Sequence, residues 1–139
     1  ATDGDYLHQD FAKPFDLVWC SHVLEHQPNV RLFLQKLVGD CADNGWIAVT
    51  VPPRKDQIVG GHVSLWNAGL LLYNLALAGL DCRGAHVKTY GYNCSVIVRK
   101  KTAPLPTLRW DSGDINRLHT HLPHWCVEGF NGDIAEWNW

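Results

Sequence analysis

The sequence lacks methionine, any C-x-x-C pair, a surplus of either charge and a long unbroken apolar run. A formal net charge of −2 offers no basic surplus for binding phosphate backbones, so we expect no nucleic-acid partner. The longest apolar stretch, from Ala68 to Leu80, is interrupted by Asn74 and is too short to span a bilayer, so we expect no membrane partner. Because methionine is absent and the chain begins at Ala1, we expect residues to precede it in the natural reading frame.

The five cysteines are odd in number, and most of them lie in apolar stretches of the sequence. Disulfide frameworks of secreted proteins use paired cysteines, whereas isolated buried cysteines are typical of reducing compartments. We therefore expect five free thiols and a cytoplasmic location. A composition that is 46% hydrophobic and 19% charged fits one globular domain and excludes disorder and coiled coil.

The most informative stretch begins as an apolar run and then turns abruptly polar. Phe15–Cys20 is rich in Val, Trp and Phe and predicts a buried strand, and it is followed by Ser21, His22, Glu25 and His26. Ligands of open α/β sheets bind just beyond the carboxyl ends of parallel strands, so these polar groups mark a candidate site. A core strand followed by an ordinary polar loop is the alternative, and the stretch alone leaves both open.

A helix and a second strand follow. The helix is predicted to begin at Pro28 and to end at Asn44-Gly45, where a glycine suits a left-handed C-cap. Trp46–Val51 predicts the second buried strand, which Pro52-Pro53 ends. The apolar stripe of the helix consists of Val30, Phe33, Leu34, Leu37, Val38 and Cys41.

The second half of the core sequence predicts a change of direction. A second helix is expected from a Ser64 cap to Gly79, and the order strand, helix, strand, helix indicates a parallel sheet with crossover helices. Asp81–Thr89 and Tyr92–Lys100 are strand-like runs joined only by Tyr90-Gly91, so the last strand must be antiparallel. We expect it to lie beside Trp46–Val51. The predicted fold class is therefore α/β.

Residues 102–139 have a different character. Prolines break this segment, helical and strand periodicity are lost, and four of the seven tryptophans lie in it, so we expect an irregular Trp-rich extension packed on the domain. His119, His121, His124 and Cys126 place four potential zinc ligands within eight residues. Their spacing matches no common zinc motif and Pro123 interrupts it, so we predict no metal site and keep a metal-binding module built on this histidine-rich tail as a third, weaker hypothesis.

These elements resemble the C-terminal half of a known family. Phe15-Asp16-Leu17-Val18 leading to Val23-Leu24-Glu25-His26 resembles the fourth strand and following loop of class I S-adenosylmethionine-dependent methyltransferases. Gly45–Pro53 is similar to that family's fifth strand, and the two final strands are similar to its terminal antiparallel hairpin. The segment from His62 to Gly69, with Tyr90–Asn93, resembles bacterial members found among glycan and surface-polysaccharide genes. The resemblance covers roughly residues 5–100, so residues 1–101 are interpreted as the C-terminal half of a methyltransferase-like domain with a partial Rossmann-like sheet.

The resemblance implies a function and a set of site residues. The implied reaction transfers a methyl group from S-adenosylmethionine to a hydroxyl group of a small molecule or glycan. The implied cofactor-binding residues are Asp5, Tyr6, Cys20, Ser21 and His22. The implied catalytic residues are His22 and His62, and the implied substrate-binding residues are Pro53, His62 and Trp66.

Structural roles compete with several of these assignments. Asp5 also suits a turn, His22 a loop histidine bonded to backbone, and Trp66 a helix residue packed on the sheet. Glu25 and His26 match a family feature that more often serves loop and helix packing.

The sequence also departs from the family. It contains no G-x-G-x-x-G, and the acidic residue that holds the ribose hydroxyls in the family has no counterpart. We therefore expect the chain alone to bind the cofactor weakly or not at all. A non-catalytic binding or interaction domain that has lost the cofactor site is the second hypothesis. Because the strand Phe15–Cys20 would lack its usual neighbour, we also expect a homo-oligomer that contacts through this edge.

Overall fold

The computed structural model describes residues 4–139, in which strands and helices alternate through the first hundred residues. The strands are β1 (Phe15–Ser21), β2 (Cys41–Val51), β3 (His86–Tyr90), β4 (Asn93–Arg99) and β5 (Glu136–Trp137). The α-helices are α1 (Val30–Asp40), α2 (Ala68–Leu77) and α3 (Asp114–Arg117), and 3-10 turns span Tyr6–His8 and Leu24–His26. None of these helices is long and apolar enough to cross a membrane.

The five strands of the described residues form one mixed sheet in the order β1-β2-β4-β3-β5. β1 and β2 are parallel and are connected through α1, whereas β4 is antiparallel to both β2 and β3. The insertion of the last hairpin strand beside β2 confirms the predicted topology and the α/β class. The prediction of a mainly parallel sheet is corrected: β1, β2 and β3 run in one direction, but only β1 and β2 are hydrogen-bonded as a parallel pair.

Two strands begin at residues other than those predicted, one later and one earlier. β3 begins at His86 rather than Asp81, since the Asp81 carboxylate accepts a hydrogen bond from the Arg83 backbone N–H at 3.1 Å and a turn follows. β2 begins at Cys41 rather than Trp46, and Asn44-Gly45 lies inside this strand. Asn44 takes the left-handed conformation there (φ 62°), opposite the register shift in β1, so the pair forms an irregularity in the sheet rather than a helix cap.

One face of the sheet carries the hydrophobic core. Ile47, Val49 and Val51 of β2 are at most 1% exposed and alternate with the half-buried Ala48 and Thr50, because α1 and α2 pack against this face. The opposite face is open at β1, where Leu17 is 58% and Trp19 74% exposed. The sheet is therefore covered on one side, with an exposed apolar surface on the other.

Residues 102–139 contribute to both the core and the sheet. Leu118 and Leu122 are fully buried, and the Cys82 N–H donates to the His121 carbonyl at 2.7 Å. β5 pairs antiparallel with β3 through Val87 and Lys88, a strand that the sequence did not predict. The extension thus closes the β3 edge of the sheet, while β1 is the other edge.

Candidate functional site

A cluster of histidine and glutamate side chains lies beyond the carboxyl ends of β1 and β2. His22 follows β1 directly, and the 3-10 turn that carries Glu25 and His26 comes next. His62 belongs to the loop after β2. The backbone N–H of Val63 donates to the Glu25 carbonyl at 2.8 Å, which joins this loop to the 3-10 turn. As a result, one ligand atom from each of Glu25, His26 and His62 lies within 4.8 Å of the others.

Glu25 is the buried centre of the cluster. Its side chain is 1% exposed, and its Oε1 lies 3.4 Å from His22 Nδ1 and 3.7 Å from His26 Nε2. Its Oε2 is buried without a hydrogen-bond partner among residues 4–139. A buried carboxylate oxygen without a partner loses its hydration without compensation, so this arrangement calls for a positive charge or a donor at that position.

Two neighbouring hydrogen bonds orient the imidazole rings. His26 Nδ1 lies 2.8 Å from the Gly61 carbonyl, which can only accept, so Nδ1 carries the proton and the neutral ring has its lone pair on Nε2. His22 Nε2 lies 2.9 Å from Asn93 Oδ1, which assigns the proton to Nε2 and leaves Nδ1 facing Glu25. The second nitrogen of each ring, His22 Nδ1 and His26 Nε2, therefore faces the same carboxylate oxygen, Glu25 Oε1.

Gly61 is required by this geometry. Its φ of +83° is in the left-handed region that favours glycine, and a β-carbon there would lie 3.2 Å from His26 Nδ1. His22 also has a positive φ, 53°, without being glycine. Such backbone conformations cluster at functional sites, since the surrounding structure must hold them in place.

Beside the cluster is a narrow crevice. Its walls include Pro53, His62 and Trp66, the three residues predicted to bind substrate, together with Lys55 and Tyr92. The Tyr92 ring stacks on His22 at 6.3 Å, and Lys55 Nζ lies 4.5 Å from the centre of the Tyr92 ring. The crevice has a volume of about 10 Å³, which is room for one group the size of a water molecule or a hydroxyl.

Trp66 is packed more deeply than the sequence analysis expected of a substrate platform. It is 3% exposed, and its indole N–H donates to Ser64 Oγ at 2.9 Å. Ser64 therefore does not cap α2; Asn67 does, by accepting from the Leu70 N–H at 2.8 Å. The indole contributes packing and an edge of the crevice rather than an open flat face.

The residues predicted to bind the cofactor belong to two segments, the first 3-10 turn and the end of β1. Asp5 caps the first 3-10 turn by accepting from the Leu7 N–H at 3.0 Å, the turn role that competed with the functional assignment. The Tyr6 hydroxyl donates to Asp40 at 2.6 Å, at the end of α1, and burial together with this bond raises its pKa. Ser21 and His22 lie instead at the carboxyl end of β1.

Cys20 is directed into the core. It is 6% exposed, and burial followed by the neighbouring Glu25 carboxylate raises the pKa of its thiol to about 12. The Cys20 side chain is therefore a neutral group that packs in the core. All five cysteines are free and buried, as the sequence analysis predicts. Of the five predicted cofactor residues, Cys20, Ser21 and His22 thus lie at the carboxyl end of β1, and Asp5 and Tyr6 lie at the first 3-10 turn.

The cysteine and histidines of the extension do not form a cluster. His121 is fully buried and its Nε2 lies 3.1 Å from the Ala103 carbonyl, while His119 Nδ1 lies 3.2 Å from the Asn116 carbonyl. His124 packs edge-on against Trp137. Among residues 4–139, the grouping of possible metal ligands is Glu25, His26 and His62, two of which the sequence analysis assigned to packing.

Sequence reasoning also missed Gly61, Asn93 and Tyr92 as members of the site. Gly60-Gly61-His62, in the loop that follows a strand ended by two prolines, is a usable signal for a tight turn that positions His62. No comparable signal exists for Asn93, because its contact with His22 depends on strand pairing.

Comparison with known proteins supports the fold. No protein-family description matches the sequence, and no curated protein does either. The structure is similar to the crystal structure of the DszA carbon methyltransferase, with a TM-score of 0.54 and 16% sequence identity over 72% of this chain. The chain spans about a third of that structure, 32% of its length. The fold of this chain is therefore methyltransferase-like.

Proposed function

We propose that this chain provides the acceptor-binding part of a class I S-adenosylmethionine-dependent methyltransferase, acting on a hydroxyl group of a small molecule or glycan. The observation that carries the proposal is the position of the polar cluster. It lies at the carboxyl ends of β1 and β2 in a methyltransferase-like sheet, where ligands bind in this class of fold.

The crevice beside the cluster suits one hydroxyl-bearing end of a substrate. Tyr92 offers an aromatic face, Lys55 a positive charge, and the ring of His62 a polar edge. His22 is 39% exposed, with its Nδ1 beside Glu25, so a proton taken from a hydroxyl group would rest next to a buried carboxylate. Holding the acceptor and receiving its proton are the tasks that these residues can perform.

In this proposal the chain supplies only part of the contacts with the cofactor. Cys20, Ser21 and His22 are the predicted cofactor residues at the strand end, and no Gly-rich loop accompanies them. In this proposal, the remaining cofactor contacts come from outside these 139 residues. We keep the cytoplasm as the proposed compartment because all five thiols are free.

Binding of S-adenosylhomocysteine to the full chain tests the proposal. Backbone-amide NMR spectra are recorded during a titration into the millimolar range. We expect weak, non-saturating shifts confined to the amides of Cys20, Ser21 and His22. These shifts should be smaller in His22→Ala. They should be unchanged in the control His119→Ala, which replaces a histidine of the extension. Shifts confined to other parts of the chain, or their absence, would contradict a cofactor-facing role for the end of β1.

A non-catalytic binding domain of the same fold is the second candidate. It is favoured by the turn-capping role of Asp5, which accepts from the Leu7 N–H at 3.0 Å, and by the lack of a G-x-G-x-x-G in the sequence. In that case the NMR titration would give no shifts at residues 20–22, while the crevice around Tyr92 and Lys55 would still be available to a ligand.

A further inference from the structure

We propose that Glu25, His26 and His62 bind a divalent transition-metal ion of the zinc type. Two imidazole nitrogens and one carboxylate form a common three-ligand set for such ions, whereas Mg²⁺ and Ca²⁺ prefer oxygen ligands. This inference goes beyond the proposed function and does not depend on it, since metal binding can be measured without cofactor or substrate.

The spacing of the ligand atoms suits a metal. Ions with bonds of about 2.0–2.1 Å in a tetrahedral shell hold ligand atoms about 3.3 Å apart. Glu25 Oε1 and His26 Nε2 are 3.7 Å apart, and the His62 ligand atom completes a group within 4.8 Å. The rings of His26 and His62 meet nearly at right angles with centres 5.0 Å apart, so small side-chain rotations bring all three atoms onto one ion.

The ring of His26 is already set for coordination. Its Nδ1–H donates to the Gly61 carbonyl at 2.8 Å, which leaves Nε2 as the unprotonated nitrogen that faces Glu25. A backbone carbonyl bonded to the distal nitrogen is the usual outer contact of a metal-binding histidine, since it fixes both the tautomer and the ring orientation. The close approach of Gly61 to this ring is therefore part of the site.

The unpartnered oxygen of Glu25 is an independent indication. Glu25 is 1% exposed, and its Oε2 has no hydrogen-bond partner among the described residues. With neutral imidazoles around it, the carboxylate would be a buried charge without a counterion, which is costly. A bound cation at the carboxylate would supply that counterion.

A three-ligand site leaves coordination positions open. His22 Nδ1 lies 3.4 Å from Glu25 Oε1, so this histidine stands beside the ion as a neighbour of its carboxylate ligand. The other side faces the crevice of Pro53, Lys55 and Tyr92, where water or a substrate oxygen can reach the metal.

Zinc binding to the full chain is tested by calorimetry, with Co²⁺ as a spectroscopic substitute. We expect one equivalent of Zn²⁺ to bind, and Co²⁺ to give the intense visible absorption of a four- or five-coordinate site. His62→Ala should weaken Zn²⁺ binding by at least about tenfold, because a loop ligand is lost. The paired variants His119→Ala and His124→Ala remove histidines of the extension and should leave the affinity unchanged.

Glu25→Gln provides a second test that removes the charge but keeps the shape. Circular dichroism first establishes whether Glu25→Gln is folded. If Glu25→Gln is not folded, the test is decided by His62→Ala, in which a half-buried loop residue is replaced. Zinc binding that is absent, or that is lost in His119→Ala or His124→Ala but not in His62→Ala, would overturn the proposal.

Discussion

His22 Nε2 lies 2.9 Å from Asn93 Oδ1, a contact between the residue that follows β1 and the first residue of β4. Seventy-one positions separate the two residues in sequence. The bond crosses over the end of β2 and holds the imidazole in place on a backbone with positive φ. The pairing of the last hairpin strand with β2 thus determines which nitrogen of His22 faces Glu25.

Replacing Asn93 should release this ring. In Asn93→Ala the imidazole loses the acceptor for its Nε2–H, so we expect a mixture of tautomers in place of one. Nitrogen NMR spectra of the histidine rings measure this directly. Asn74→Ala is the matched control, because Asn74 bonds only to the Leu70 carbonyl within α2 and should leave the His22 signals unchanged. A single, unaltered tautomer in Asn93→Ala would contradict the assignment.

The two adjacent glycines of the loop provide a matched pair. Gly61→Ala should lower the free energy of unfolding by about 1–2 kcal/mol, the cost of placing an L-residue in the left-handed region. Its β-carbon would also approach His26 Nδ1 to 3.2 Å, so zinc affinity should fall as well. A β-carbon at Gly60 meets nothing within 4 Å, and Gly60→Ala should change neither quantity much. Urea unfolding measures the change in the free energy of unfolding, and zinc titration measures the change in affinity. Equal effects of the two substitutions would show that the left-handed conformation of Gly61 is not needed at this position.

Asp114 predicts a pH dependence of stability. The Asp114 side chain is 1% exposed, and burial by itself would raise the pKa of its carboxyl. The backbone N–H groups of Arg109 and Trp110 and the Arg117 guanidinium stabilise the carboxylate more strongly, so its pKa is lowered. A carboxyl whose pKa is lower in the folded state stabilises the fold above its ordinary value, about 3.9, and loses that contribution as pH falls through the folded value.

Thermal unfolding of Asp114→Asn measures this contribution. We expect the variant to melt below the parent protein at neutral pH, and the difference to shrink as the pH is lowered below about 4. Asp56→Asn, at an exposed position, is the control and should melt with the parent protein throughout. A difference that does not vary with pH would mean that Asp114 acts through packing alone.

The edge of β1 predicts self-association, and we infer that a second copy of this chain covers it. β1 is an edge strand with exposed Leu17 and Trp19, and an unpaired edge with apolar side chains is a template for strand pairing. Antiparallel pairing about Val18 would set Leu17 of one copy opposite Trp19 of the other. Apolar side chains would then meet across the two-fold axis, while the acidic Asp16 would face a Cys20 position.

Light scattering at low micromolar concentration tests this pairing. We expect a species of twice 15.7 kDa for the parent chain and a monomer for Trp19→Lys, since a lysine at the edge opposes pairing. Trp110→Lys changes a tryptophan that is equally exposed, at 70%, but lies in the extension, and it should remain dimeric. A parent chain that scatters only as 15.7 kDa would refute the inference.

The architecture could be predicted from the sequence because its signals are local. The apolar stripe of α1, the period of the strands and the two-residue link at Tyr90-Gly91 each depend on neighbouring residues, and the order of elements then limits the topology. The predicted strand boundaries were less accurate where a side chain accepts a backbone hydrogen bond, as Asp81 does. They were also less accurate where a residue inside the strand, such as Asn44, takes a left-handed conformation.

The site was only partly predictable because it depends on long-range contacts. His22 and His62 were identified from their positions after strands. His26 and His62 come together through the bond from His26 to the Gly61 carbonyl and the backbone bond from Val63 to Glu25. Neither contact produces a periodic pattern in the sequence. The sequence analysis therefore assigned Glu25 and His26 to packing, although the buried carboxylate lies at the centre of the cluster.

The short strand β5 limits how far this chain can assemble. Within residues 4–139, β3 is covered by Glu136–Trp137, a strand too short to act as a template, and β1 is the long strand with a free edge. Two-fold pairing uses that edge in both copies at once, so growth stops at two chains and an open filament cannot form. Removing the last residues of the extension would uncover the β3 edge. A chain with two free sheet edges could then assemble into an open polymer in place of a closed dimer.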